Sequence, residues 1–239
     1  MDEKPMIKIK NLVRHYKTGE IIVRALNGVS FNIKKGEFIA IIGPSGSGKT
    51  TLLRILGLID KPTKGEYTIN NLNVVDLPEE ERNYYRLTQV GYVFQDYALI
   101  NEMSAIENVY ILSLMEGKPK KEAIITAKQA LEKVGLGDKL ERVPNQLSGG
   151  EKQRVAIARA IAKKPKILFA DEPCANLDTK TSKQVLEVLK TLNKKFQQTI
   201  VMVTHESWHL KYASRIIKLK DGLIISDKKF RKKPLRVLS

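Results

Sequence analysis

A single cysteine, Cys174, stands in 239 residues, which excludes an internal disulfide framework and any multi-cysteine zinc site. Long apolar runs are lacking too. The longest, such as FIAIIG and TIVMV, fall well short of the roughly 18 to 20 residues that cross a bilayer. The opening MDEKPM has no basic start followed by an apolar stretch, so the expectation is a cytosolic chain, neither exported nor membrane-spanning. No segment repeats at a fixed period. Acidic residues are outnumbered, 26 against 42 Lys and Arg, for a formal net charge of +16. Composition leaves nucleic acid, an anionic membrane surface, nucleotide handling and a general richness in lysine all open. The closing DKKFRKKPLRVLS concentrates that charge and mixes it with Phe230, Leu235, Val237 and Leu238. It reads as a solvated end, or as a segment for anionic lipid or a partner.

What is present begins with a hydrophobic share of 42%, enough for one large domain or for a core with a sizeable insertion. The run MIKIKNLVRHY alternates apolar and polar residues, and VSFNIKKGEFIAIIG holds two strand-like runs joined around Lys35 and Gly36. That pattern predicts a hairpin there. The second run becomes continuously apolar, as suits a strand buried on both faces, and it ends in glycine before the helical KTTLLRILGLI. Two more buried strands follow, KILFADEP and TIVMVTH, with the helical SKQVLEVLKTLNKKF between them. Strands alternating with helices predict a mainly parallel α/β sheet with ligands at the carboxyl ends of its strands. Residues from about 96 to 162 break the alternation with three stretches of helical spacing, AIENVYILSLMEG, KKEAIITAKQALEKVG and GEKQRVAIARAIAKK. The expected organisation is one domain over 1–239, with a core of 1–95 and 163–225, an inserted helical subdomain at 96–162 and a basic tail at 226–239.

Gly43, Gly46, Gly48, Lys49 and Thr50 satisfy the Walker A pattern, in the strand, loop and helix context that a phosphate loop requires. Backbone N–H groups and the helix start favour phosphate, Lys49 reaches the β and γ phosphates, and the Thr50 hydroxyl suits magnesium. It is the only such loop in the chain. Asp171 and Glu172 close a buried strand, where successive side chains diverge, so they suit two different tasks. Asp171 is expected to hold hydrated magnesium, and Glu172 to polarise the attacking water as general base. A second glycine-rich helix start, LSGGE, brings Ser148, Gly149 and Gly150 to where free N–H groups point outward. A serine N-cap with Glu151 as its capping-box partner explains part of it; two adjacent glycines also suit close approach of another group.

With these residues in order, the sequence resembles the ATPase subunits of the ATP-binding cassette (ABC) transporters, from Ile7 to about Gly222. The resemblance rests on an aromatic at Tyr16, Walker A, Gln95 in YVFQD, the signature LSGGE, Walker B with Glu172, ANLD ending at Asp178, and His205. It implies a P-loop NTPase (RecA-like) core with an N-terminal antiparallel β subdomain and the helical insertion. It implies ATP and Mg2+, held by Gly43, Pro44, Ser45, Gly46, Ser47, Gly48, Lys49, Thr50 and Thr51. Tyr16 would stack on adenine, and Thr50, Gln95 and Asp171 would hold the metal. Glu172, His205, Gln95 and Lys49 would carry the chemistry.

The resemblance further implies that two copies pack head to tail, with Ser148, Gly149, Gly150 and Glu151 of one closing on the nucleotide of the other. Asp178 would cross that interface, with an N-cap for the next helix as the competing or additional role. Cys174 and Ala175 depart from the family's usual Thr or Ser and Gly. Cys174 reads as filler, with thiol sensitivity as the sharper alternative. Within the family, YKTGEIIVRALNGVSF, GLIDKPTKGE and NQLSGGEKQRVAIARA are similar to the macrolide-exporter, lipoprotein-releasing and cell-division branch, although Asn101 stands where proline is common. That implies a separate membrane permease and a peripheral place on the cytoplasmic face of the membrane; the apolar cluster Tyr97, Leu99, Ile100 and Met103 is the candidate dock, with burial inside the helical subdomain as the alternative. No specific nucleic acid is expected; a soluble ABC ATPase acting on nucleic acid or ribosomes is the rival.

Overall fold

The computed structural model describes residues 4–230. Among these residues ten strands form two sheets. Strands β1 (Ile7–Thr18), β2 (Ile21–Ile33), β4 (Lys64–Ile69) and β5 (Leu72–Asn73) make an antiparallel sheet in the order β2-β1-β4-β5. The second sheet contains β3 (Phe38–Ile42), β6 (Val90–Val93), β7 (Ile167–Asp171), β8 (Thr199–Val203), β9 (Arg215–Lys220) and β10 (Leu223–Lys229), ordered β10-β9-β3-β8-β7-β6. All its pairings are parallel except β9 with β10. This is the mainly parallel P-loop NTPase sheet, with the antiparallel subdomain beside it.

The expected hairpin at Lys35 and Gly36 does not form. A tight turn is there, closed by the Glu37 N–H on the Lys34 carbonyl at 3.3 Å, but it carries the chain from one sheet into the other. The reason lies in β3, whose four leading residues are fully buried and which pairs with β8 and β9 on its two edges. Strand β2 alternates instead and pairs with β1 through a two-residue turn at Gly19 and Glu20. A strand apolar on both faces needs neighbours that are equally buried, and β2 is not one.

Helix α1 (Lys49–Leu56) follows β3, α2 (Glu79–Gln89) precedes β6, and α6 (Thr179–Phe196) lies between β7 and β8. Val185, Leu186, Leu189 and Leu192 give α6 one buried stripe at helical spacing. Helices α3 (Ala105–Met115), α4 (Lys120–Lys133) and α5 (Gly149–Ile161) occupy the segment between β6 and β7. A single apolar cluster joins Val109, Leu131 and Val155 of these helices to Ala170 and Met202 of the sheet, so α5 is fixed against the core that holds β7. Strand β10 runs to Lys229, four residues into the segment expected as a tail, where Arg215 holds Asp227 through contacts of 2.6 Å. Leu235, Val237 and Leu238 lie outside the described residues. Among the described residues no helix is long and apolar enough to cross a membrane.

Candidate active site

The loop from Gly43 to Gly48 leaves the carboxyl end of β3 and turns directly into α1. Gly48 has φ +95°, and a Cβ there would overlap the Ala25 carbonyl oxygen, so only glycine lets the loop close beneath β2. Ser47 is buried, and among the described residues its hydroxyl has no partner. Lys49 is buried as well, and its ammonium donates to the Pro44 carbonyl at 2.8 Å, with no carboxylate in ion-pair distance among the described residues. A buried cation and an unpaired hydroxyl at a helix start fit a polyphosphate, which supplies the missing negative charge and acceptors.

An open cleft of about 670 Å³ lies over this loop. Tyr16, Gly46, Lys49, Thr50, Glu172 and His205 line it, together with Ser45, Gly48 and Thr51. Arg14 sits 4.3 Å from the Tyr16 ring centroid, and the Tyr16 hydroxyl donates to Asp60 at 3.1 Å. Asp60 also takes Arg54 at 3.0 Å. Tyr16 is thus anchored at its hydroxyl end and covered by a cation, which sets its ring without filling the cleft.

Asp171 is buried at the end of β7 and accepts from the Thr50 hydroxyl at 3.2 Å and from the Tyr92 hydroxyl at 3.3 Å. Burial raises its pKa, while the two hydroxyls oppose that shift. Thr50 and Asp171 offer hard oxygen donors side by side, the chemistry of a magnesium site completed by substrate phosphates. Among the described residues no cluster of three His, Cys, Asp or Glu forms a metal cage by itself.

Glu172 has left the strand and adopts φ +42°, a left-handed backbone that costs a non-glycine residue about 1–2 kcal/mol. Its N–H donates to Val203 and its carbonyl accepts from Ala175, both at 3.1 Å, which holds the turn. The carboxylate therefore diverges from Asp171 and meets His205 Nδ1 at 3.1 Å. Outliers of this kind gather at functional sites.

The remaining sites lie outside the cleft. Gln95 is exposed beyond β6 and is not among the cleft residues. Ser148 caps α5 in a reciprocal capping box with Glu151: the Glu151 N–H donates to the serine hydroxyl at 3.4 Å, and the Ser148 N–H to the carboxylate at 2.9 Å. Lys139, bound to Glu151, and that Ser148 N–H hold the carboxyl down at about 2. A Cβ at Gly150 would overlap the Thr181 side chain, so this glycine already meets a close neighbour within the chain. Asp178 caps α6, accepting from the Lys180 and Thr181 N–H groups at 2.8 and 3.0 Å.

Cys174 is buried, with its thiol pushed up to about 12 by burial. This supports filler over reactivity. In the native protein, labelling by an aromatic disulfide at pH 7 is expected to be at least about 100-fold slower than in denaturant; comparable rates would restore the reactive alternative.

Tyr92 escaped the sequence reading. Its place three residues before Gln95 is the one signal in sequence; the pairing of β6 with β7 brings it to Asp171.

The fold and this cleft define a P-loop nucleotide hydrolase, and the comparisons narrow the class. The sequence profile described as "ABC transporter" matches residues 26–175. An uncharacterized ABC transporter ATP-binding protein of Methanocaldococcus jannaschii is 49% identical over 92% of this chain and 98% of its own length. The macrolide export ATP-binding/permease protein MacB of Chlorobium luteolum is 47% identical over 94% of this chain, which spans only 34% of that relative. The ATP-binding cassette MJ0796, solved as a dimer in a post-hydrolysis state bound to ADP and Pi, superposes with a TM-score of 0.87 at 43% identity, covering 95% of this chain and 100% of that one. The chain belongs to the ABC transporter family, as an ATP-binding, ATP-hydrolysing subunit.

Proposed function

We propose that this subunit drives a separate membrane permease of the exporter or force-transmitting kind, by closing and opening a head-to-tail dimer around two ATP with Mg2+. The observation that carries the dimer is the division of the site. Walker A, Tyr16, Glu172 and His205 share one cleft, while the second glycine-rich helix start at Ser148 has no place in it. The Gly149 and Gly150 N–H groups at this helix start can take an anion from elsewhere, and a second copy would supply one. The dimeric cassette structures are consistent with that reading.

In this account Lys49 and the loop N–H groups bind and orient the β and γ phosphates. Thr50 and Asp171 would hold the metal, with Gln95, which lies outside the cleft in the single chain, moving in to join them, and the metal's charge would offset that of the phosphates. Glu172 takes the proton of the attacking water, and His205 fixes the Glu172 carboxylate and reaches the γ phosphate. Ser148 and the Gly149 and Gly150 N–H groups complete the neighbour's site, with Asp178 beside that interface.

The permease is supported by a groove of about 1010 Å³ between α2, α3, α5 and the segment after β6. Tyr84, Phe94, Ile100 and Met115 line it and remain exposed at 68, 40, 40 and 66%. An apolar groove of this kind takes an amphipathic helix. Of the cluster picked from sequence, Ile100 lines the groove, whereas Leu99 packs inward on the core. Arg159 fixes the wall by donating to the Tyr97 and Ala98 carbonyls at 2.9 and 2.6 Å, which supports their two consecutive left-handed residues. The MacB relatives carry ATP-binding and permease functions under one name, as their description states.

The test is sedimentation with membranes from the native host after nuclease treatment. Wild type is expected to stay bound and an Ile100→Asp/Met115→Glu variant to be released, with its ATPase unchanged. Release of wild type by nuclease, together with steeply salt-dependent RNA binding, would favour the nucleic-acid rival.

A further inference from the structure

The loop that follows β8 contains a second histidine, buried and outside the cleft. His209 is 3% exposed, in the short 3-10 segment Ser207–Tyr212. Its Nδ1 lies 2.7 Å from the hydroxyl of Thr204, which is also buried. That hydroxyl accepts the Glu206 N–H at 3.2 Å. Among the described residues it has no other acceptor for its own proton, so the pairing that satisfies the hydroxyl has Thr204 donating to Nδ1. The ring is then neutral with its proton on Nε2. Burial, the largest influence on it, lowers its pKa and favours that form, with His205 acting in the same direction and Glu206 against it.

Nε2 itself is buried with no partner among the described residues. Leaving such a group unpaired is unfavourable, and an apolar side chain would fill the space without that penalty. The hydrogen bond that the imidazole makes to the protein is the one at Nδ1. It pins Thr204, the residue next to His205, whose own N–H donates to Ile41 in the sheet at 3.1 Å. Trp208 packs edge-on against the ring, 4.2 Å between centroids, and limits its rotation. A cavity of about 160 Å³ behind the site is lined by Glu172, Cys174, Ser182, Thr204, His205 and His209, so the space beside the catalytic pair is not filled by packing. Against that gap, His205 is 55% exposed on its side chain and meets Glu172 at 3.1 Å. Its Nε2 lies 3.5 Å from Glu206 of the same loop, so the ring's place follows that of the loop.

We propose that His209 is a positioning residue for ATP hydrolysis, which holds through Thr204 the loop that presents His205 to Glu172 and the γ phosphate. The inference rests on the roles given above to Glu172 and His205.

His209→Leu and Thr204→Val each remove the bond while nearly conserving volume. Each is expected to lower kcat about tenfold while changing the KM for ATP less than about twofold, because the bond orients the reacting groups without touching the nucleotide's binding loop. His209→Asn and Thr204→Ser, which keep an acceptor and a hydroxyl respectively, are expected to recover to within about threefold of wild type. The double variant His209→Leu/Thr204→Val should be no slower than either single one, since both delete the same interaction. Thermal unfolding checks that each variant is folded, and if His209→Leu is not, the Thr204 pair decides. Folded His209→Leu and Thr204→Val proteins with wild-type kcat, or conservative variants as slow as the others, would overturn the inference. His205→Ala measured alongside separates the two levels. Normal turnover in it sinks the site assignment itself, whereas loss there with normal His209→Leu sinks only the role of His209.

Discussion

Glu172→Gln is expected to reduce steady-state ATP turnover by about 100-fold or more, the scale of a lost general base. Glutamine keeps the size of the side chain and an oxygen for His205, which lies 3.1 Å away, so the loop geometry survives. What it loses is the capacity to take a proton from water. ATP binding is expected to persist, because Lys49 and the phosphate loop are untouched and lie on a different element. A variant that binds but does not cleave accumulates the ATP-bound state, so sizing should show a dimer with ATP and a monomer without it. The left-handed backbone at Glu172 adds a check, since Glu172→Gly should relieve strain and raise thermal stability even as it abolishes turnover. Undiminished turnover in Glu172→Gln would remove the residue from the role of base.

Ser148→Asp is the second large effect, and it separates the two explanations of the LSGGE segment. Aspartate is as good an N-cap as serine, so the α5 helix keeps its start, whereas alanine there would cost about 1 kcal/mol. Thermal stability is therefore expected to change little. The added carboxylate, however, would stand where a neighbour's γ phosphate is to be received. Loss of a donor and addition of a like charge at such a site are expected to lower turnover by about 100-fold. ATP binding to the monomer should be unaffected, because Ser148 is not part of the cleft. If capping were the whole purpose of Ser148, the aspartate variant would turn over ATP normally.

How much of this was readable in the sequence depends on the distance over which each feature is decided. The apolar runs of β3, β7 and β8, the stripe of α6 and the loop from Gly43 to Thr50 are local, and periodicity or spacing discloses them. The caps at Ser148 and Asp178 are local too, and both side chains cap their helices as the neighbouring residues suggest. The turn at Lys35 and Gly36 misled because a tight turn says nothing of whether the next strand returns to the same sheet; the partners of β3 lie more than 150 residues away. Left-handed residues at Tyr97, Ala98 and Glu172 carry no glycine to announce them, being imposed by Arg159 and by the Val203 and Ala175 contacts. Tyr92 on Asp171 and His209 on Thr204 look like ordinary core residues in sequence. Only the register of β6 with β7 and the tight segment after β8 give them partners.

Equimolar mixing of Lys49→Ala with Ser148→Asp tests the shared site most directly. Each variant alone should be nearly inactive, one without its own phosphate loop and the other without a signature to offer its partner. A mixed dimer contains one site with an intact Walker A facing an intact signature. The mixture is therefore predicted to recover up to about a quarter of wild-type turnover, since half of the dimers are mixed and each has one of two sites. A mixture no more active than the sum of its two components would contradict a site built from two chains.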